Sequence, residues 1–203
     1  MKRIAYWINR RDFLNTLGGL AIVSAASPAS KAFAQEPGTG PRTFRLWAIG
    51  DAHVGTDLKH KRESLADAIR QSEKGGSEGG PPFDWDIALN VGDFSGNQGP
   101  PTDEEGREVV RQYAAATKHR REDFYDLAGN HDASGPSEPT QWWFRQWNDP
   151  TGENTKFSGV DAKRRRYPIQ GTWERYSFRV GNLLCLVMSD RNDGGPPAGR
   201  DLH

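Results

Sequence analysis

Three short apolar runs in this chain each end at a glycine that is followed at once by polar residues. The three clusters are Gly50-Asp51-Ala52-His53, Gly92-Asp93 and Gly129-Asn130-His131-Asp132. Glycine lets the backbone leave a strand in a sharp turn, because it has no Cβ to clash. In open α/β sheets, functional sites lie beyond the carboxyl ends of the strands. We therefore expect the three loops to meet at one edge of a sheet.

The segments between these loops predict alternating strands and helices. Strands are predicted at 44–49, 86–91 and 124–128, and helices at 59–74 and 102–119. Thr102 and Glu105 have the spacing of a capping box at the start of the second helix. This alternation predicts a largely parallel sheet with helices on its faces.

Two further patterns follow the third loop. A helix is predicted around Trp142, Trp143 and Trp147, whose spacing favours packing in the core over a ligand-stacking surface. Strands at 173–180 and 183–188 are separated by two residues, Gly181 and Asn182, which is a hairpin signal. The chain is therefore expected to add an antiparallel pair to its parallel strands.

The first 34 residues have the pattern of a secretory signal. Arg10-Arg11 precedes a mildly apolar stretch from Leu17 to Ala29 and the small-x-small site Ala32-Phe33-Ala34, with cleavage expected before Gln35. The paired arginines followed by Phe-Leu resemble the twin-arginine export signal. A bilayer span needs about 20 strongly apolar residues, so no stable membrane anchor is expected. We predict transfer by the twin-arginine export machinery to the periplasm or the extracellular space.

Charge and cysteine content exclude some classes of function. Of 27 basic and 27 acidic residues, five basic and one acidic lie in residues 1–34, which leaves 22 against 26 and a net charge of −4. Non-specific nucleic-acid binding needs excess positive charge, so no nucleic-acid-binding surface is expected. The basic run Lys163-Arg164-Arg165-Arg166 is interpreted as a solvated loop, with attraction of an anionic substrate as the alternative. Cys185 is the only cysteine, so no internal disulfide can form, and we interpret it as a small buried hydrophobe.

The ordered triplet Gly-Asp-x-His, Gly-Asp and Gly-Asn-His-Asp resembles the calcineurin-like metallophosphoesterases over about residues 43–190. The resemblance implies an α/β fold, a two-sheet sandwich flanked by helices in the order αββα, truncated here at the C-terminus. It implies an incomplete phosphoesterase domain at 43–203, which follows the predicted signal peptide at 1–34 and a Pro/Gly-rich linker at 35–42.

The resemblance also implies the ligands of two metal ions. Asp51 and His53 would bind one ion, Asp93 would bridge both, and Asn130 would bind the second. Carboxylate and amide oxygens with imidazole suit Mn, Fe or Zn, without choosing among them.

Two neighbouring residues receive roles from the same resemblance. His131 would lie close to the scissile bond as the catalytic group. Asp132 would either orient His131 or only cap the following turn. The implied activity is hydrolysis of small-molecule phosphate mono- or diesters through a metal-bound hydroxide.

The chain departs from the family pattern in two places. Gly96 stands three residues after Asp93, where purple acid phosphatases have a tyrosine and protein Ser/Thr phosphatases an aspartate, which argues against both branches. The C-terminal histidine motifs of the family do not follow, and His203 is not expected to replace them. We therefore expect an N-terminal fragment with weak metal binding and little turnover. The alternative is a non-catalytic exported binding protein that retains the fold.

Overall fold

The computed structural model describes residues 20–24, 43–77, 79–96, 99–132 and 142–189. Its strands are Leu20–Ser24 (β1), Leu46–Ile49 (β2), Ile87–Asn90 (β3), Phe124–Asp126 (β4), Gln170–Gly171 (β5), Arg175–Val180 (β6) and Leu183–Met188 (β7). Its helices are Val54–His60 (α1), Ser64–Lys74 (α2), Asp103–Tyr113 (α3), Trp142–Trp147 (α4) and Thr155–Ser158 (α5). The fold is mixed α/β, with one parallel sheet, one antiparallel sheet and helices.

The parallel sheet has the strand order β2-β3-β4. Leu46 pairs with Ile87 and Ile49 with Asn90, and Ala88 of β3 pairs with Phe124 of β4. Parallel strands end at the same edge of a sheet, so the loops that follow β2, β3 and β4 leave from one side. The predicted strands and the alternation of strands with helices are confirmed.

The antiparallel sheet has the order β1-β7-β6-β5. Strands β6 and β7 form the predicted hairpin, with Val180 opposite Leu183 and Gly181 at a φ of 59°. Strand β1 lies inside the predicted signal peptide and pairs with β7 along its whole length. Cleavage before Gln35 would remove this strand from the sheet.

The parallel sheet separates two apolar cores because successive side chains of a strand point to opposite faces. On one face, Ile87 and Leu89 pack against Phe178 and Cys185 of the antiparallel sheet, and Cys185 is fully buried as predicted. On the other face, Ala88 packs in the core formed with the helices. In the described residues, helices thus lie on one face of the parallel sheet and the antiparallel sheet lies on the other.

The helix boundaries differ from the predictions for identifiable reasons. The predicted helix 59–74 is divided at Lys61, which has a left-handed φ of 53° and ends α1. The capping box of Thr102 and Glu105 is confirmed at the start of α3. That helix ends at Tyr113 instead of continuing to 119, where the backbone N–H of His119 donates to the buried carboxylate of Glu73 (3.0 Å). None of the helices in the described ranges is long and apolar enough to span a membrane.

Trp143 and Trp147 are buried in the helix-side core, which confirms the predicted packing role for these two residues. The indole N–H of Trp143 donates to the carbonyl oxygen of Thr102 (2.7 Å). The side chain of Trp142 lies outside the part of the chain that is described. Burial gives no support to a ligand-contacting role for Trp143 or Trp147.

The interpretation of the basic run 163–166 as a solvated loop is wrong for Arg165. Its guanidinium is buried, stacks over the ring of Tyr125 and donates to the carbonyl oxygens of Pro150, Glu122 and Phe124. Glu122 and Phe124 lie at the start of β4, at the opposite end of the strand from the third polar loop. Arg165 therefore supports the fold at the far edge of the sheet.

Candidate metal centre

The loops after β2 and β3 run side by side and are joined by a ladder of backbone hydrogen bonds. The N–H of Asp51 donates to the carbonyl oxygen of Gly92 (3.0 Å), and the N–H of His53 donates to that of Asp93 (3.1 Å). The N–H of Val54, the first residue of α1, donates to the carbonyl oxygen of Phe94 (2.7 Å). These bonds fix the relative position of the two loops.

Asp51, His53 and Asp93 form the cluster that could hold a metal ion. One ligand atom from each residue lies within 4.8 Å of those from the other two. Nε2 of His53 lies 3.3 Å from Oδ1 of Asp51. Two carboxylates with one imidazole are a donor set that fits Mn, Fe or Zn. In the described ranges, this is the single group of three His, Cys, Asp or Glu residues with such spacing.

The cluster is open to solvent. The side chain of Asp51 is 77% exposed and that of His53 is 33% exposed. An ion can therefore approach the cluster from the Asp51 side.

All three cluster residues have a left-handed backbone conformation. The φ angles are 55° at Asp51, 48° at His53 and 57° at Asp93. A residue with a Cβ loses roughly 1–2 kcal/mol in this conformation, and such strain concentrates at binding and active sites. The backbone ladder between the loops holds the residues in place despite this cost.

Two glycines allow the loops to approach this closely. Gly92 has a φ of 106°, and a Cβ built on it would lie 2.4 Å from the backbone nitrogen of Gly129. Gly96 has a φ of 74°, and its Cβ would lie 2.6 Å from the Cβ of His53. Any side chain at position 96 would therefore displace His53.

The third loop contains a 3-10 turn, Asn130–Asp132, that places His131 beside the cluster. The backbone N–H of His131 donates to Oδ1 of Asp93 (2.9 Å), and the imidazole rings of His131 and His53 have centroids 5.4 Å apart. Asn130 is exposed in the same turn. The structure thus brings Asp51, His53, Asp93 and His131 together, with Asn130 adjacent to His131 in the chain.

Asp132 is fully buried and connects the third loop to the second. Its Oδ1 accepts hydrogen bonds from the N–H groups of Phe94 (2.8 Å) and Ser95 (3.1 Å). Its Oδ2 accepts from Asp93 (3.0 Å) and Gly129 (2.8 Å). Neither predicted alternative for Asp132 included this bridging contact.

Burial raises the pKa of Asp132 to about 7, because the charged carboxylate is removed from water. The N–H of Gly129 lowers the pKa, the negative charge of Asp93 raises it, and the N–H groups of Ser95 and Phe94 lower it. Burial and the charge of Asp93 therefore outweigh these three hydrogen bonds.

The remaining described histidines lie away from the cluster. His119 stacks on Trp85, with ring centroids 3.3 Å apart, and its ring nitrogens contact Glu73 (2.9 Å) and the carbonyl oxygen of Trp85 (2.9 Å). His60 is exposed at the last position of α1. His203 lies outside the described residues.

Comparison with known proteins returned no match to this chain among protein-family models, curated proteins or solved structures.

Proposed function

We propose that this chain is an exported, metal-dependent phosphoesterase whose metal centre includes Asp51, His53 and Asp93. The observation that carries the proposal is the convergence of two loops on a cluster of ligand atoms within 4.8 Å of one another, with His131 of the third loop beside it. The left-handed φ angles of the three residues support it, because backbone strain at three neighbouring side chains favours a functional site over a solvated turn.

Each side chain has the role in metal binding that its donor atom allows. Asp51 and His53 would hold one ion, Asp93 would be shared with a second ion, and Asn130 would offer its amide oxygen to that second ion. When bound, such ions supply Lewis acidity that polarises a phosphoryl group and activates water for in-line attack. The exposed side of Asp51 leaves room for the phosphate group of a substrate.

His131 acts on the leaving group in this proposal. Its backbone is tied to Asp93, so its imidazole stays beside the metal ligands. A protonated imidazole there donates its proton to the departing alkoxide oxygen, which is general-acid catalysis. Loss of the ring leaves metal binding in place and slows turnover.

The test is Mn²⁺ binding and phosphoester hydrolysis by the full 203-residue chain. Isothermal titration with Mn²⁺ is compared for the unaltered chain, Asp93→Asn and Asp67→Asn. Asp67 is an exposed acid paired with Arg70 on α2, so its variant controls for the loss of one charge.

We expect Asp93→Asn to weaken Mn²⁺ binding at least 100-fold and Asp67→Asn to leave it unchanged. Release of 4-nitrophenol from a phosphate monoester and a diester should be slow, Mn²⁺-dependent and lost in Asp93→Asn. Equal Mn²⁺ affinity in all three proteins would refute the proposal.

A further inference from the structure

We propose that Asp132 is a positioning residue that holds Asp93 in its metal-binding conformation through backbone N–H groups. The inference rests on the proposed metal centre and adds a residue that does not itself contact the ions. It assigns a task to a fully buried carboxylate that lies between the second and third loops.

Three consecutive backbone N–H groups of the second loop converge on the carboxylate of Asp132. Asp93, Phe94 and Ser95 all donate to the carboxylate of Asp132, over 2.8 to 3.1 Å. Successive N–H groups can point to a common centre where the backbone turns through a left-handed residue, and Asp93 has a φ of 57°. The Asp132 carboxylate therefore stabilises the strained conformation of Asp93.

The second and third loops also bond to each other in the opposite direction. The carboxylate of Asp93 accepts a hydrogen bond from the N–H of His131, while the carboxylate of Asp132 accepts one from the N–H of Asp93. Each loop thus supplies a carboxylate to the backbone of the other. This exchange fixes both the backbone and the carboxylate of Asp93, and it holds His131 beside them.

Replacing Asp132 by asparagine removes one of the two acceptor oxygens that these N–H groups need. In Asp132→Asn, an amide nitrogen takes the place of one carboxylate oxygen and faces N–H groups that need an acceptor. Two of the four backbone donors then lose their partner. Residues that orient metal ligands typically change metal affinity 10- to 100-fold when they are replaced.

Asp149 provides a matched control. It is also fully buried, has a left-handed φ of 46°, and accepts backbone hydrogen bonds from Glu153 (2.8 Å) and Asn154 (2.7 Å). It follows α4 and contacts none of the three loops through these bonds. Asp149→Asn therefore disturbs a similar buried loop without touching the metal centre.

The experiment measures Mn²⁺ affinity by titration calorimetry and folding by circular dichroism for the full chain, Asp132→Asn, Asp149→Asn and Asp93→Asn. We expect Asp132→Asn to fold and to bind Mn²⁺ 10- to 100-fold more weakly, while Asp149→Asn binds it as the unaltered chain does. Unchanged Mn²⁺ affinity in Asp132→Asn, with affinity lost in Asp93→Asn, would overturn this inference alone. If the unaltered chain bound no Mn²⁺, the proposed function would fail, and this inference with it.

A measurement on the unaltered chain covers the case in which Asp132→Asn does not fold. We expect the amides of Asp93, Phe94, Ser95 and Gly129 to exchange with deuterium slowly and together in metal-free protein. Exchange of these four amides at the rate of an exposed loop would contradict the proposed role of their hydrogen bonds to Asp132.

Discussion

Gly129 lies so close to Asp93 that a Cβ built on Gly129 would be 2.2 Å from Oδ1 of Asp93 and 2.4 Å from its backbone nitrogen. The glycine of the third loop is therefore required by its contact with the second loop. Because Asp93 belongs to the proposed metal centre, this steric relationship joins the fold to the proposed activity.

Replacing Gly129 by alanine should displace Asp93. We expect Gly129→Ala to lower the free energy of unfolding by about 1–3 kcal/mol, as overpacking usually does, and to weaken Mn²⁺ binding at least tenfold. Urea unfolding and Mn²⁺ titration check both values. Gly99→Ala is the control, since a Cβ on Gly99 meets no atom within 4 Å. Equal effects of the two substitutions would contradict the steric explanation.

Asp51→Asn should weaken metal binding without lowering the stability of the metal-free protein. Asparagine tolerates the left-handed conformation better than most residues, and the substitution removes a negative charge from the neighbourhood of Asp93. In metal-free buffer we therefore expect an unchanged or slightly raised melting temperature. Mn²⁺ should raise the melting temperature of the unaltered chain and leave that of the variant unchanged. A variant that is destabilised without metal, and stabilised by Mn²⁺ like the unaltered chain, would disagree with this account.

The buried carboxylate of Glu73 should make folding sensitive to acid. Burial raises the pKa of Glu73, but hydrogen bonds from Thr117, His119 and Lys118 outweigh burial and lower it from 4.5 to about 2. The carboxylate is charged in the folded state at pH values where the unfolded chain has begun to bind a proton. Its contribution to stability is therefore complete above about pH 4.5 and is lost as the pH falls towards 2.

Glu73→Gln tests this pH dependence. At pH 7 we expect a loss of about 1–3 kcal/mol in the free energy of unfolding, because the N–H donors keep a weaker, uncharged partner. The difference between the unaltered chain and the variant should shrink between pH 4.5 and pH 2 in urea unfolding experiments. A difference that stays constant over this range would show that the charge of Glu73 does not stabilise the fold.

Two adjacent arginines should differ sharply in their effect on stability. Arg165 is buried and donates hydrogen bonds to three carbonyl oxygens. Arg164 is exposed, and its Nη1 lies 3.8 Å from Oε1 of Glu122. We expect Arg165→Ala to cost roughly 2–4 kcal/mol of unfolding free energy and Arg164→Ala less than about 0.5 kcal/mol. Thermal or urea unfolding measures both, and comparable losses would contradict the structure. Neither substitution should alter Mn²⁺ affinity.

Sequence patterns were sufficient for the parts of the fold that repeat a local rule. The three parallel strands and the Gly181-Asn182 hairpin follow from periodicity and turn chemistry, and both are present. The capping box of Thr102 and Glu105 is likewise a short-range signal. The end of α3 was not predictable, because the segment after it, at residues 117–119, bonds to Glu73, which is distant in the sequence and gives no local sign of its contacts.

In the candidate site, too, some features could be predicted from the sequence and others could not. The motif pointed to Asp51, His53 and Asp93, which the structure brings together, since acids and histidines follow glycines in order along the chain. The bridging role of Asp132 was missed because its partners are backbone N–H groups, which every residue except proline offers. The constraint on Gly96 was also missed, since it arises from the position of His53 in a different loop.

Anomalous diffraction from crystals soaked in Zn²⁺ tests the proposed metal centre most directly. We predict an anomalous peak roughly 2.0–2.2 Å from a carboxylate oxygen of Asp51, a carboxylate oxygen of Asp93 and a ring nitrogen of His53. A map with no peak between these three side chains, at a Zn²⁺ concentration that loads other sites on the protein, would contradict it.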